Sequence, residues 1–292
     1  MYRSLLEAIR DAEASGQTLS QVALKLESED QGKTVESIRA HLARALEIMR
    51  SAIGDGLKGD LYSASGLVGG DAAKLRTGPD GPLANTPFRD ILARALAVQE
   101  VNAAMGVIVA APTAGGAGTL PAVLTGLGKS HGLPDEKLID GLATAGLIGA
   151  VIAERASLSG AEGGCQAETG AGAAMAAGAA TEMLGGTPSQ VGHAVSLTMQ
   201  GMLGLVCDPL GGLVELPCVY RNATGAAIAM AGIEMALAGI TFAIPCDEVI
   251  DVMGEIGREM DVRYRETAGG GLAATPTGRK LAKERLYQIR RS

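Results

Sequence analysis

The chain has 292 residues, of which 47% are hydrophobic and only 2% aromatic, with 42 glycines and no tryptophan. This length allows one large domain or two small ones, with a core built from small and aliphatic side chains. The net charge of −7, without a Lys/Arg stripe that carries interleaved aromatics, argues against nucleic-acid binding. The polar, amphipathic N-terminal stretch lacks the apolar core of an export signal. The longest apolar run, residues 223–245, carries Glu234 at its middle, which is costly in lipid. We therefore expect a cytoplasmic protein that is not inserted in a membrane and keeps its thiols reduced.

Residues 1–53 are rich in charge and predict three helices, with Thr18 and Thr34 capping two of them. From Gly54 onward the composition shifts to Gly-rich loops between apolar helical segments, and no alternating strand pattern of useful length occurs. Six helices are predicted over residues 83–99, 137–155, 170–184, 189–203, 222–240 and 247–259. Two more are predicted to begin at about residue 119 and at residue 276. The sequence thus predicts an all-α fold, with an N-terminal helical segment over residues 1–53 and a compact multi-helix domain over residues 54–292.

The stretch SASGLVGGDAAKL, residues 63–75, places two small-residue turns before a helix that Asp71 is predicted to cap. Lys74 then falls in the first turn of this helix, where a basic charge is unfavourable. An anion beside Lys74 would explain its position, and a surface lysine is the alternative.

A second Gly-rich loop follows Pro112 and opens a helix at about Thr119. Such a loop presents backbone N–H groups to an anion. It matches neither GxGxxG nor GxxxxGK[ST], so it does not indicate a nucleotide. A bound carboxylate and a simple tight turn between helices remain equally good interpretations.

Three of the four cysteines, Cys165, Cys207 and Cys218, stand beside glycine or proline, which predicts that they lie at helix ends or in tight loops. Thiolates at such ends face unpaired N–H groups, which favour the anionic form that binds metal. Paired cysteines at the short spacing of structural zinc sites are absent. A metal cluster with one open iron and a set of inert buried thiols are the two interpretations of this pattern.

The stretches SGAEGGCQAE, GLVCDPLGGLVELPCVYRNA and GGLAATPTG, with SGLVGGDAAKL and NAAMG…APTAGGAG upstream, resemble the α chain of the iron–sulfur-dependent L-serine dehydratases. The resemblance runs from about Gly54 to Gly278. It implies conversion of L-serine to pyruvate and ammonia with a 4Fe–4S cluster and without pyridoxal phosphate. Cys165, Cys207 and Cys218 match the cluster ligands of the family, and Cys246 is interpreted as a structural thiol.

The resemblance also implies roles for residues around the cluster, whose open iron would act as a Lewis acid on the substrate hydroxyl. Lys74 would bind the substrate carboxylate or take its α proton, and a guanidinium at Arg221 suits a carboxylate or the negative charge of the cluster. The residues expected to orient the substrate are Asn102, Thr113, Gly115, Gly116, Arg221 and Asn222.

The sequence departs from the single-chain members of this family. Gly201 stands where they carry a histidine before the second cluster cysteine, in MQGMLGLVCDP, so that histidine is not essential here. Their N-terminal β domain with an SSHT stretch has no counterpart in the sequence. The chain resembles the two-subunit type, and we expect a separate β subunit and an oligomer.

Other functions fit part of the pattern. They are a non-catalytic, cluster-binding or scaffold subunit and an L-cysteine desulfidase-like enzyme in which the cluster expels sulfide. A pyridoxal-phosphate dehydratase is disfavoured, because no lysine stands in an SxK-type setting ahead of a phosphate loop.

Overall fold

The computed structural model describes residues 2–79 and 81–289, and the fold is all-α as the sequence predicts. Within these residues there is no β-sheet, only isolated bridges between Tyr62 and Gly69 and between Cys207 and Arg265. No helix in this part of the chain is long and apolar enough to cross a bilayer. The helices are α1 Leu5–Ser15, α2 Leu19–Gln31, α3 Val35–Gly56, α4 Asp71–Thr77, α5 Pro87–Ala103, α6 Thr119–His131, α7 Asp135–Arg155, α8 Gly160–Gly163, α9 Ala171–Met183, α10 Pro188–Met199, α11 Cys218–Leu237, α12 Cys246–Glu259 and α13 Pro276–Ile289.

Helix α9 forms the centre of the molecule, and every one of its residues is buried. Its sequence, AGAAMAAGAATEM, has no polar face, which is typical of a helix surrounded on all sides by protein. Helices α6, α7, α10 and α11 pack around it. A Cβ atom at Gly178 would collide with the Ile148 side chain of α7, so the small residues of α9 permit the close approach of its neighbours.

The first three helices share the main core with the central ones. Thr18 caps α2 in a capping box with Gln21, and Thr34 caps α3, as the sequence predicts. At the start of α2, Leu19 N–H donates to the Glu182 carboxylate of α9 over 2.8 Å. Glu182 thereby ties the N-terminal helices to the middle of the molecule through a buried hydrogen bond.

Several helix ends differ from the predicted ones. The helix predicted over residues 83–99 begins at Pro87, after the cap Thr86, and ends at Ala103. Helix α11 begins at Cys218, directly after Pro217, rather than at Asn222. Proline is tolerated at the start of a helix, where a missing N–H leaves no hydrogen bond unmade. Cys218 is therefore part of the first helical turn.

Candidate active site

The structure brings Cys165, Cys207 and Cys218 together in buried positions, with exposed fractions of 3%, 3% and 5%. Cys165 precedes a π-helical turn, Gln166–Gly170, that leads into α9. Cys218 is the first residue of α11, and Cys207 lies in an extended segment bridged to Arg265. The prediction that these cysteines occupy helix ends and loops is confirmed.

Backbone hydrogen bonds hold two other segments against the one that carries Cys207. Gln166 N–H, next to Cys165, donates to Leu205 O over 3.0 Å. On the other side, Cys207 N–H donates to Tyr264 O and Glu266 N–H donates to Cys207 O, each over 2.8 Å. The Cys207 segment is thus fixed from both sides by main-chain bonds.

Arg221 connects the first turn of α11 to the same segment. Its Nη1 donates to Val206 O over 2.8 Å, and its Nη2 lies 2.8 Å from Asp208 Oδ1. Asp208 is 2% exposed, and its Oδ2 accepts a hydrogen bond from Leu272 N–H. Arg221 therefore contacts the residues on both sides of Cys207, and its charge faces Asp208 and acts to lower the pKa of the Cys165 and Cys218 thiols.

Burial raises the pKa of all three thiols, that of Cys218 to about 12. The charges of Cys165, Glu168 and Cys218 also raise the pKa of the Cys207 thiol, because like charges disfavour ionisation of a neighbouring group. Burial and repulsion thus raise the thiol pKa values by more than the unpaired N–H groups at helix ends, which the sequence predicts to favour the thiolate, lower them. A bound metal centre would offset both, and soft thiolate donors suit zinc, copper(I) or iron–sulfur clusters. The donor set fits a cluster.

Cys246 lies apart from this group. It is the first residue of α12 and is 2% exposed. Its pKa is raised to about 12 by burial and by Asp247, and no other cysteine contributes. These surroundings are those of a structural thiol.

Glu168 is the site residue that the sequence analysis missed. It belongs to the π-helical turn, is 8% exposed, and raises the pKa of all three thiols. A carboxylate oxygen of Glu168, one of Glu266 and the Cys207 sulfur lie within 4.8 Å of one another. Burial raises the pKa of Glu168. Its position three residues after Cys165, on the same side of a helical turn, is the signal that could have identified it.

The Gly-rich loop lies beside Glu168. Thr113 Oγ1 donates to Glu168 Oε2 over 2.7 Å and accepts from Gly116 N–H over 3.3 Å. Asn102, at the end of α5, donates to Ala114 O over 3.2 Å. The structure therefore gathers the predicted loop residues next to the cysteines.

Asn222 supports this loop from inside the protein. It is fully buried, and its Oδ1 accepts from Gly118 N–H over 2.9 Å and Thr119 N–H over 3.2 Å. Its Nδ2 donates to Gly115 O over 2.7 Å and to Cys218 O over 3.0 Å. Asn222 thus caps α6 with its side-chain oxygen, at the N–H groups for which the sequence left a bound carboxylate and a simple tight turn as equal interpretations.

Lys74 lies at the surface of the seven-residue helix α4, with its side chain 73% exposed and its Nζ 2.7 Å from Asp71 Oδ1. Asp71 does not cap this helix, contrary to the prediction. The residue at the cap is Gly70, and Glu100 Oε1 accepts from the N–H groups of Asp71 and Ala72. The hydrogen bond to Asp71 raises the pKa of Lys74. A lysine kept as ammonium suits carboxylate binding better than proton abstraction.

The fold and these contacts define an all-helical domain in which three buried thiols lie beside a Gly-rich loop. The family model described as "Serine dehydratase alpha chain" matches residues 14–273. The chain belongs to that family.

Several related proteins align with almost the whole chain. This chain is 49% identical over 290 residues to the probable L-serine dehydratase, alpha chain, of Bacillus subtilis (strain 168), and the alignment spans 97% of this chain and 95% of the relative. Identity to the L-serine dehydratase, alpha chain, of Peptoniphilus asaccharolyticus is 39% over 292 residues, 99% of both chains. L-serine dehydratase 2 of Escherichia coli (strain K12) is 38% identical over 288 residues, 93% of this chain and 61% of that protein.

Proposed function

We propose that this chain is the α subunit of an L-serine dehydratase, which converts L-serine to pyruvate and ammonia. The observation that carries the proposal is the meeting of three buried thiols from distant segments in a member of the serine dehydratase alpha chain family. The names of relatives that match over nearly their full length support L-serine as the substrate.

In this proposal Cys165, Cys207 and Cys218 hold a 4Fe–4S cluster. With three protein ligands, such a cluster supplies an iron with an open position that acts as a Lewis acid on the substrate hydroxyl. The mutual repulsion of the buried thiolates supports this ligand set, because a metal centre relieves it. Arg221 contributes by holding the residues on both sides of Cys207.

The other residues orient the substrate. The loop that contains Thr113, Gly115 and Gly116, with Asn102 at its edge, would hold the carboxylate of L-serine. Asn222 fixes the loop against α11, and the exposed Lys74 attracts the carboxylate to the site. The α proton and the hydroxyl leave the substrate as water, and the resulting aminoacrylate takes up water to give pyruvate and ammonia.

We further propose that a β subunit completes the enzyme. The two relatives of which this chain covers 95% and 99% are named alpha chains, whereas it covers 61% of the E. coli protein, which has no chain designation. The α chain with its partner forms a cytoplasmic oligomer, where thiol ligands stay reduced.

The test is to purify the chain without oxygen, alone and with the proposed β chain, and to measure iron, sulfide, pyridoxal phosphate and pyruvate formation from L-serine. We expect about four irons per chain, no pyridoxal phosphate, and turnover that rises sharply when the β chain is added. Iron without turnover in either preparation would favour a non-catalytic cluster subunit. Faster release of sulfide from L-cysteine than of pyruvate from L-serine would favour a desulfidase.

A further inference from the structure

Two carboxyl groups lie beside the Cys207 thiol. Glu168 and Glu266 each place a carboxylate oxygen within 4.8 Å of the Cys207 sulfur and of each other. The guanidinium of Arg221 lies 2.8 Å from Asp208 and is occupied there. Within residues 2–79 and 81–289, neither glutamate forms an ion pair. Two carboxylates without a basic partner suit a cationic group of the substrate.

Glu168 is also placed next to the loop that would hold the opposite end of the substrate. Its Oε2 accepts from Thr113, and Thr113 accepts from the backbone of Gly116 in the same loop. An α-amino acid carries its ammonium and carboxylate on one carbon, so their two binding groups must be neighbours. The structure supplies this adjacency, and it leaves room for the glutamate because a Cβ at Gly115 or Gly160 would collide with its carboxylate.

We propose that Glu168, with Glu266 beside it, binds the α-ammonium group of the amino-acid substrate and selects amino acids over their deamino analogues. This inference rests on the proposed function, because it assigns the ammonium of L-serine to a pair of carboxylates in that site. Glu168 is 8% exposed, and a charge-assisted hydrogen bond made out of contact with water is a strong one.

The test compares two ligands that differ only in the amine, L-serine and 3-hydroxypropionate, on the iron-loaded complex of wild type and of the isosteric variant Glu168→Gln. The KM for L-serine and the inhibition constant for 3-hydroxypropionate are measured together with iron content and the absorption spectrum. Loss of a charge-assisted contact should weaken L-serine binding roughly 10- to 100-fold. Binding of 3-hydroxypropionate and iron content should stay at wild-type values.

Glu162→Gln is the matched control, because it removes the same charge from an exposed residue of the same segment, whose carboxylate accepts a hydrogen bond from Ser157. It should leave both constants unchanged. Glu266→Gln should weaken the binding of L-serine but not that of 3-hydroxypropionate, as Glu168→Gln does. It serves as the second variant if Glu168→Gln does not fold.

If Glu168→Gln weakens the binding of both ligands equally, or if a folded variant keeps the wild-type KM for L-serine, the assignment of Glu168 is overturned. The proposed function then still stands, provided that the wild-type complex turns over L-serine. A loss of iron in Glu168→Gln would likewise assign the carboxylate to the metal centre instead of the substrate. If the wild-type complex forms no pyruvate from L-serine, both the proposed function and the assignment of Glu168 are overturned.

Discussion

Substitution of Arg221 by alanine tests how the site is held together. The change removes a guanidinium that is only 15% exposed and leaves the Asp208 carboxylate, 3% exposed, without its counter-charge. It also removes the hydrogen bond to Val206 O. Because these partners stand on both sides of Cys207, we expect the variant to lose stability and cluster binding together.

The expected loss follows from the burial of the pair. Breaking a buried ion pair by removing one partner typically costs about 3–5 kcal/mol, because the remaining charge is left uncompensated. The double variant Arg221→Ala/Asp208→Asn should recover part of this lost stability, because asparagine carries no charge and its side-chain oxygen can still accept a hydrogen bond from Leu272 N–H. The coupling between the two sites should reach about 1–3 kcal/mol.

The free energy of unfolding of the iron-free chain, from urea denaturation, gives these values, and iron bound after anaerobic reconstitution gives the effect on the site. The matched control is Arg50→Ala, which breaks an exposed pair with Asp135 whose side chains are 42% and 56% exposed and should cost at most about 1 kcal/mol. If Arg221→Ala is as stable as Arg50→Ala and binds iron normally, the reasoning about this ion pair is wrong.

Four further predictions follow from the cysteines and the core. Serine at any one of Cys165, Cys207 or Cys218 should remove most of the bound iron, whereas Cys246→Ser should keep it, as measured by iron and sulfide assays. Activity and visible absorption should decay in air and return with ferrous iron and thiol; activity that lasts for days in air would contradict an open iron. Reconstitution should speed up between about pH 7 and 9, because below the raised thiol pKa of Cys218, about 12, the thiolate fraction rises roughly tenfold per pH unit; a flat pH profile would contradict this. Gly178→Val should lower the free energy of unfolding by about 1–3 kcal/mol, because it overpacks the contact between α9 and α7, and an unchanged urea midpoint would contradict that contact.

The fold was predictable wherever the signal is local. Thr18 and Thr34 bond to the backbone of their own helices, so a short window of sequence identifies them. The all-small sequence of α9 likewise indicates burial on every side. The carboxylate of Glu182, which receives the first N–H groups of α2, could not be predicted, because the two residues are far apart in sequence and meet only after folding.

In the candidate site too, local features were predictable from the sequence and long-range contacts were not. The glycines and prolines beside the cysteines predicted their helix-end and loop positions, and the motifs suggested the ligand set. The contacts of Arg221 and Asn222 depend on which segments α11 meets. The motifs suggested a carboxylate or the cluster for Arg221 and the substrate for Asn222, and they did not indicate the contacts with Asp208 and the loop before α6. The spacing of Glu168 from Cys165 was a local signal for that residue, whereas its proximity to Cys207 and Glu266 arises only on folding.

Pyruvate formation and iron content, measured in the same anaerobic samples of wild type and of the three single Cys→Ser variants, each combined with the β chain, test the central claim most directly. We expect wild type to bind about four irons per chain and to form pyruvate from L-serine, and Cys165→Ser, Cys207→Ser and Cys218→Ser to lose both properties. Pyruvate formation at the wild-type rate by a chain without iron would contradict it.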